Sequence, residues 1–149
     1  MLNFISTHSS EITAAVCGFF IFVAAGYEIM SAKSYPSTIK TDSKTINAFD
    51  TVTAYHNLAR LMALLAIAAA VLLLKFESTH QHPQWVLNLM GFVIFGLIIL
   101  TLAFAIVGYQ STNSQNIDDM LHSKKFNNMA TISGMLAIAT SIFLVALSK

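Results

Sequence analysis

Apolar and polar residues separate along this chain into long blocks. Four stretches are apolar almost throughout: Ile12 to Met30, Leu58 to Leu74, Trp85 to Tyr109 and Ala130 to Leu147. Their apolar residues fill the whole helix circumference, where a soluble bundle would need a polar stripe at helical period. A bilayer core of about 30 Å takes about 20 helical residues to cross. In hydrocarbon each backbone amide must bond within its own segment, which makes every span a helix. The pattern therefore predicts an all-α integral membrane protein. It is a four-transmembrane-helix bundle forming a single domain over residues 1–149, with two tandem-duplicated helical hairpins.

The flanks add length to two of these helices. Ile46, Phe49, Val52, Thr53 and Leu58 recur near helical spacing, so the second helix is expected to begin before its apolar span. Asn116 to Asn127 extends the fourth in the same way, with Asp118 and Asp119 favourable in a first helical turn. Between the first two helices, Ser31 to Thr45 is rich in Ser, Thr and Lys, and Pro36 breaks it, so irregular chain is expected there. Composition agrees: 10% of residues are charged, against roughly 25% in soluble domains.

The basic residues set the expected orientation. Lys33, Lys40, Lys44, Arg60, Lys124 and Lys125 fall on one side of the four spans, and only Lys75 and Lys149 on the other. The positive-inside rule then puts both long loops in the cytoplasm and both termini on the non-cytoplasmic face. Trp85 marks the outer boundary, and Tyr27, Tyr55 and Tyr109 the inner one. The first eleven residues hold no Lys or Arg, so the first span is expected to stay rather than be cleaved as a signal peptide. A single cysteine, Cys17, permits no internal disulfide and says nothing of redox compartment. The net charge of +1 gives no field for nucleic acid, which is not expected as a partner.

A repeat links the second and fourth spans. Residues 57–73 align without gaps on residues 128–144, with seven of seventeen positions identical. Weaker matches join Gly18–Phe22 to Gly91–Phe95 and Gly26–Glu28 to Gly108–Gln110. Both spans of the repeat keep a stripe of small residues: Ala59, Ala63, Ala66 and Ala70 on one, and Ala130, Gly134, Ala137 and Ser141 on the other. Lipid is as apolar as Leu, so membrane helices associate where small residues let backbones approach. The matching stripes place the second helix against the fourth. The alternative sets each stripe against its own hairpin partner.

Charges near the boundary come next. Glu28, near the end of the first span, and Arg60, at the start of the second, share a depth on adjacent helices. Both are neutral in the second hairpin, as Gln110 and Thr131. They are expected to form a structural ion pair or a transport site, and His56, one turn before Arg60, is placed to join them. His80 and His82 sit in a short outer turn without a third ligand, which reads as a solvated turn rather than a metal site. His56 and His122 only flank the spans, so no haem is expected. Two hairpins are also the plan of a rotary proteolipid, but six glycines and no central carboxylate oppose that.

No segment outside the spans is large enough for an enzyme, and no nucleotide or nucleophile motif occurs. No catalytic residue, cofactor or metal is therefore expected. The resulting reading is a non-catalytic accessory, assembly or scaffold subunit whose partners are the bilayer and other membrane subunits, or copies of itself. The competing one is a small oligomeric transporter or channel using Glu28 and Arg60, with Asn88 or Thr101 in support.

Overall fold

The computed structural model describes residues 9–36, 43–74, 83–112 and 117–148. These residues form four helices: α1 (Ser9–Ser34), α2 (Ser43–Leu73), α3 (Gln84–Thr112) and α4 (Ile117–Leu147). Each is long and apolar enough to cross a membrane. At a rise of about 1.5 Å per residue, α1 is about 39 Å long and α2 and α4 about 46 Å. The extensions expected before the second and fourth spans are helical from Ser43 and from Ile117, Asn116 lying outside the described residues. Of the irregular chain expected over Ser31 to Thr45, residues 31–34 continue α1 and 43–45 begin α2, each helix running past its apolar span.

Prolines mark two of the boundaries. Pro36 follows the end of α1, where its ring disfavours helical geometry at the residue before it. Pro83 precedes α3, and its carbonyl accepts from the Val86 amide at 2.9 Å, which starts the helix. The histidine turn at 80–82 lies outside the described residues, as do Lys40, Lys75 and Lys149.

Helix α1 packs along α2 and α3 along α4, while α2 and, less extensively, α1 lean on α4. The α1–α2 seam is antiparallel and repeats every seven residues. Cys17 donates from Sγ to the Ala66 carbonyl at 3.4 Å. Seven residues on, Ala24 is buried with Ala59. Seven further, Ser31 Oγ donates to the Val52 carbonyl at 3.2 Å. All six residues are at most 2% exposed. A seven-residue period keeps one stripe facing its partner along two supercoiling helices, and small side chains let the backbones approach.

Burial runs opposite to that of a protein folded in water. The buried positions are mostly Ala, Ser, Cys and Thr, with Ile132, Leu136 and a few other aliphatics. Large apolar side chains point outward: Phe22 is 80% exposed and Phe92 75%. The contrast is sharpest in α3, the most apolar helix, whose most apolar stretch contains no buried residue.

Candidate functional site

The polar site is built where the α1–α2 seam nears its end. One turn before Ser31 on α1 stands Glu28, and one turn after Val52 on α2 stands His56. The register of the seam brings them together, with His56 Nδ1 3.0 Å from Glu28 Oε2. With a carboxylate at Glu28 the Nδ1–H donates, which fixes the tautomer and leaves Nε2 as the imidazole's acceptor. Tyr27 and Tyr55, one residue back on each helix, stack with ring centroids 6.2 Å apart. Among the described residues, every buried side-chain nitrogen and oxygen has a hydrogen-bond partner.

Arg60 takes no part in this pair. It lies one turn further along α2, beyond the point that the seven-residue register sets opposite Glu28, and is exposed. The expected Glu28–Arg60 pair is thus replaced by Glu28–His56. Two long side chains at equal depth do not meet unless the helix register also aligns them.

The small-residue stripes are also placed differently from one another. Ala59, Ala63, Ala66 and Ala70 are fully buried, and α2 turns them toward α1 as well as α4. Ala59 and Ala63 cluster with Ala24 of α1 and with Ile132 and Leu136 of α4. Ala70 clusters with Cys17. The face that α4 offers to this cluster is thus Ile132 and Leu136. Gly134 looks the other way: a Cβ built on it would lie 3.4 Å from Thr101 Cγ2 of α3. Ala137 is buried, whereas Ala130 and Ser141 are partly exposed. Helices α2 and α4 therefore meet, but at Gly134 the fourth-helix stripe serves the hairpin partner. Seven-residue spacing has already committed the α2 stripe to α1.

The α3–α4 seam carries hydroxyls. Thr101 Oγ1 lies 3.0 Å from Ser133 Oγ and 2.7 Å from the Leu97 carbonyl of its own helix. Ser123 Oγ donates to the Gly108 carbonyl at 2.8 Å, and Phe104 packs on Phe126 with centroids 6.0 Å apart. The side chain of Asn127 fills the space that a Cβ on Gly108 would need, so glycine at that crossing permits the close approach.

Between α1 and α3, with α4 as its floor, a cavity of about 640 Å³ opens beside Glu28. Ala25, Ile29, Leu100, Phe104, Ile132 and Leu136 make its apolar length, and Glu28, Lys33, Tyr35 and Lys125 its polar end. Lys125 Nζ stands 5.9 Å from the Tyr35 ring centroid, and Asn128 Nδ2 donates to the Tyr35 hydroxyl at 3.0 Å. Burial first, then the nearby Glu28 charge, push the Tyr35 phenol above its ordinary pKa, with the Asn128 bond opposing them. The phenol thus remains a neutral O–H. The sequence holds no spacing motif for this cavity, because its walls come from three separate helices.

Among the described residues no three His, Cys, Asp or Glu side chains converge on one point. Chemically, the site offers a carboxylate–imidazole pair able to hold a proton, and two ammonium groups at the mouth of an apolar groove. Compared with known proteins, the chain matches no family model, no curated protein and no solved structure.

Proposed function

We propose that this chain is a multi-pass integral membrane protein acting as a non-catalytic accessory or assembly subunit within a larger membrane complex. The observation that carries this reading is α3. It is the most apolar helix, packs extensively only on α4, and leaves Phe92, Phe95, Ile99, Leu102 and Ile106 exposed. In water such a surface far exceeds the apolar patches that monomers tolerate. In a bilayer it costs nothing, and most of the α3 circumference is open to lipid or to another subunit.

The orientation proposed with it puts both termini on the non-cytoplasmic face, from the distribution of Lys and Arg. Single cysteines introduced at Gln84 and Lys124 test this. Cys17 is buried and contributes little background. Impermeant reagent on the cytoplasmic side should label position 124 and spare 84, and the reverse pattern overturns the orientation. Duplication of one hairpin remains a proposal resting on the sequence match. Two antiparallel pairs are compatible with it, although their seams differ chemically.

A second reading keeps a place because of one observation: Glu28, a carboxylate 8% exposed, sits beside a cavity. Buried intramembrane carboxylates commonly serve transport. In this version a small oligomeric transporter works through Glu28 with His56, and the exposed Arg60 moves to its edge. Extraction of the tagged chain in mild detergent, followed by native mass spectrometry, separates the two. A stoichiometric partner protein supports the accessory role. Ion or solute flux in vesicles containing this chain alone, abolished by Glu28→Gln, overturns it.

A further inference from the structure

We propose that the cavity between α1 and α3 is a binding site for one anionic phospholipid, its phosphate held between Lys33 and Lys125 and an acyl chain lying along Leu100, Phe104, Ile132 and Leu136. The proposal rests on the membrane reading above and adds a ligand to it.

The shape of the cavity argues first. Along α4 it runs from Lys125 to Leu136, eleven residues or roughly 16 Å of helix. One leaflet of a bilayer core is about 15 Å deep, half of the whole. A site spanning one leaflet, charged at one end and apolar along the rest, has the form of a lipid rather than of a helix. A helix is about 10–12 Å across and must continue through both leaflets. The volume of about 640 Å³ falls within the roughly 300–1,000 Å³ of small-molecule sites.

Charge argues second. Lys33 stands in the last turn of α1 and Lys125 on α4, ninety-two residues apart in the chain, yet the fold brings both to one mouth. The Tyr35 ring under Lys125 restrains that ammonium by a cation–π contact. The Tyr35 hydroxyl accepts from Asn128, so its proton is available to a phosphate oxygen. The mouth carries two cations against one carboxylate, Glu28, which is hydrogen-bonded to His56, so it keeps a net positive charge toward an anion. Both lysines lie on the side that the basic residues assign to the cytoplasm, the leaflet that carries anionic lipid.

The test uses the purified full chain in detergent micelles, with phosphatidylglycerol, phosphatidylcholine and inorganic phosphate as probes. Retention of bound lipid is read by native mass spectrometry. The expected result is about tenfold preference for phosphatidylglycerol over phosphatidylcholine, lost in Lys33→Gln/Lys125→Gln. Ala25→Trp, which fills the apolar length, should abolish retention of both lipids. Because that variant can misfold, the surface lysine pair is the deciding one, read alongside unchanged helical circular dichroism. Equal retention of the two lipids, or full competition by inorganic phosphate, overturns the proposal. Crosslinking of Ala25→Cys to another polypeptide in place of lipid does so too. Flotation of the chain with liposomes separates the two levels: a chain that floats without lipid preference sinks only this inference, and one that does not float sinks the membrane reading with it.

Discussion

The two helix pairs solve one packing problem in different ways. Helices α1 and α2 approach along small residues that recur every seven positions, Cys17, Ala24 and Ser31 facing Val52, Ala59 and Ala66, and the seam ends in Glu28–His56. Helices α3 and α4 approach through one glycine on each side and the Thr101–Ser133 hydroxyls. The first seam is continuous and closes on a carboxylate–imidazole hydrogen bond. The second is a set of local contacts, and its α3 side stays largely exposed. The first pair therefore has the stronger individual interaction, and the second has the face open to a partner.

Breaking the charged end of the first seam should have the largest effect. His56→Ala leaves Glu28, 8% exposed, without its donor, and stranding one partner of a buried pair costs about 3 kcal/mol. Unfolding in mixed micelles, followed by circular dichroism, measures it. Adding Glu28→Gln to His56→Ala should recover part of the loss, since the uncompensated charge is then gone. Additive single and double losses would mean that the 3.0 Å contact carries no coupling, and the contrast between the seams would vanish.

The second seam should break sterically. Gly134→Leu forces a branched side chain against Thr101 and should cost about 1–3 kcal/mol through overpacking. Gly134→Ala places its Cβ at 3.4 Å from Thr101 Cγ2, an ordinary contact, and should be close to neutral. Equal losses for Ala and Leu would show that Gly134 serves backbone freedom rather than helix approach. The Glu28–His56 coupling should survive both changes, because the two sites lie on different helix pairs.

Ser133→Ala should cost less, about 0.6 kcal/mol, the average for interhelical hydrogen bonds in membranes. The reason is local: Thr101 still has the Leu97 carbonyl of its own helix at 2.7 Å, so removing Ser133 strands no donor. A loss above 2 kcal/mol would make the hydroxyl pair as important as the Glu28–His56 pair.

Much of this was legible in the sequence. Long apolar blocks announced four helices, and the patterns beginning at Ile46 and Asn116 announced their extensions. The Ala59–Ala70 stripe announced a close interface, because burial of alanine between membrane helices follows from backbone approach. What stayed hidden depended on register. A seven-residue spacing shared by Cys17, Ala24 and Ser31 on one helix and by Val52, Ala59 and Ala66 on the other was present in the chain. Aligned antiparallel, it would have set Tyr55 opposite Glu28, with His56 beside it and Arg60 more than a turn away. Gly134 illustrates a different limit. A small residue marks close approach but does not say to which neighbour, and a helix packed on three others has more than one face to offer. The groove escaped for a third reason: Lys33, Phe104 and Lys125 come from three helices, and no linear pattern joins them.

The smallest effect expected is at Arg60, and it tests the register most directly. Arg60 is exposed, and Glu28 already has a partner. Arg60→Gln should therefore change stability by less than about 0.5 kcal/mol, as surface substitutions away from special features do. In a cycle with Glu28→Gln its coupling should be indistinguishable from zero, while His56 in the same background couples strongly. A long side chain at a boundary can solvate its charge in the headgroup region, so losing it strands nothing. If Arg60 and Glu28 couple by more than 1 kcal/mol, the α1–α2 register must sit about one turn from where the Ser31–Val52 and Cys17–Ala66 bonds place it. The alanine seam would then have to be rebuilt along with the pair.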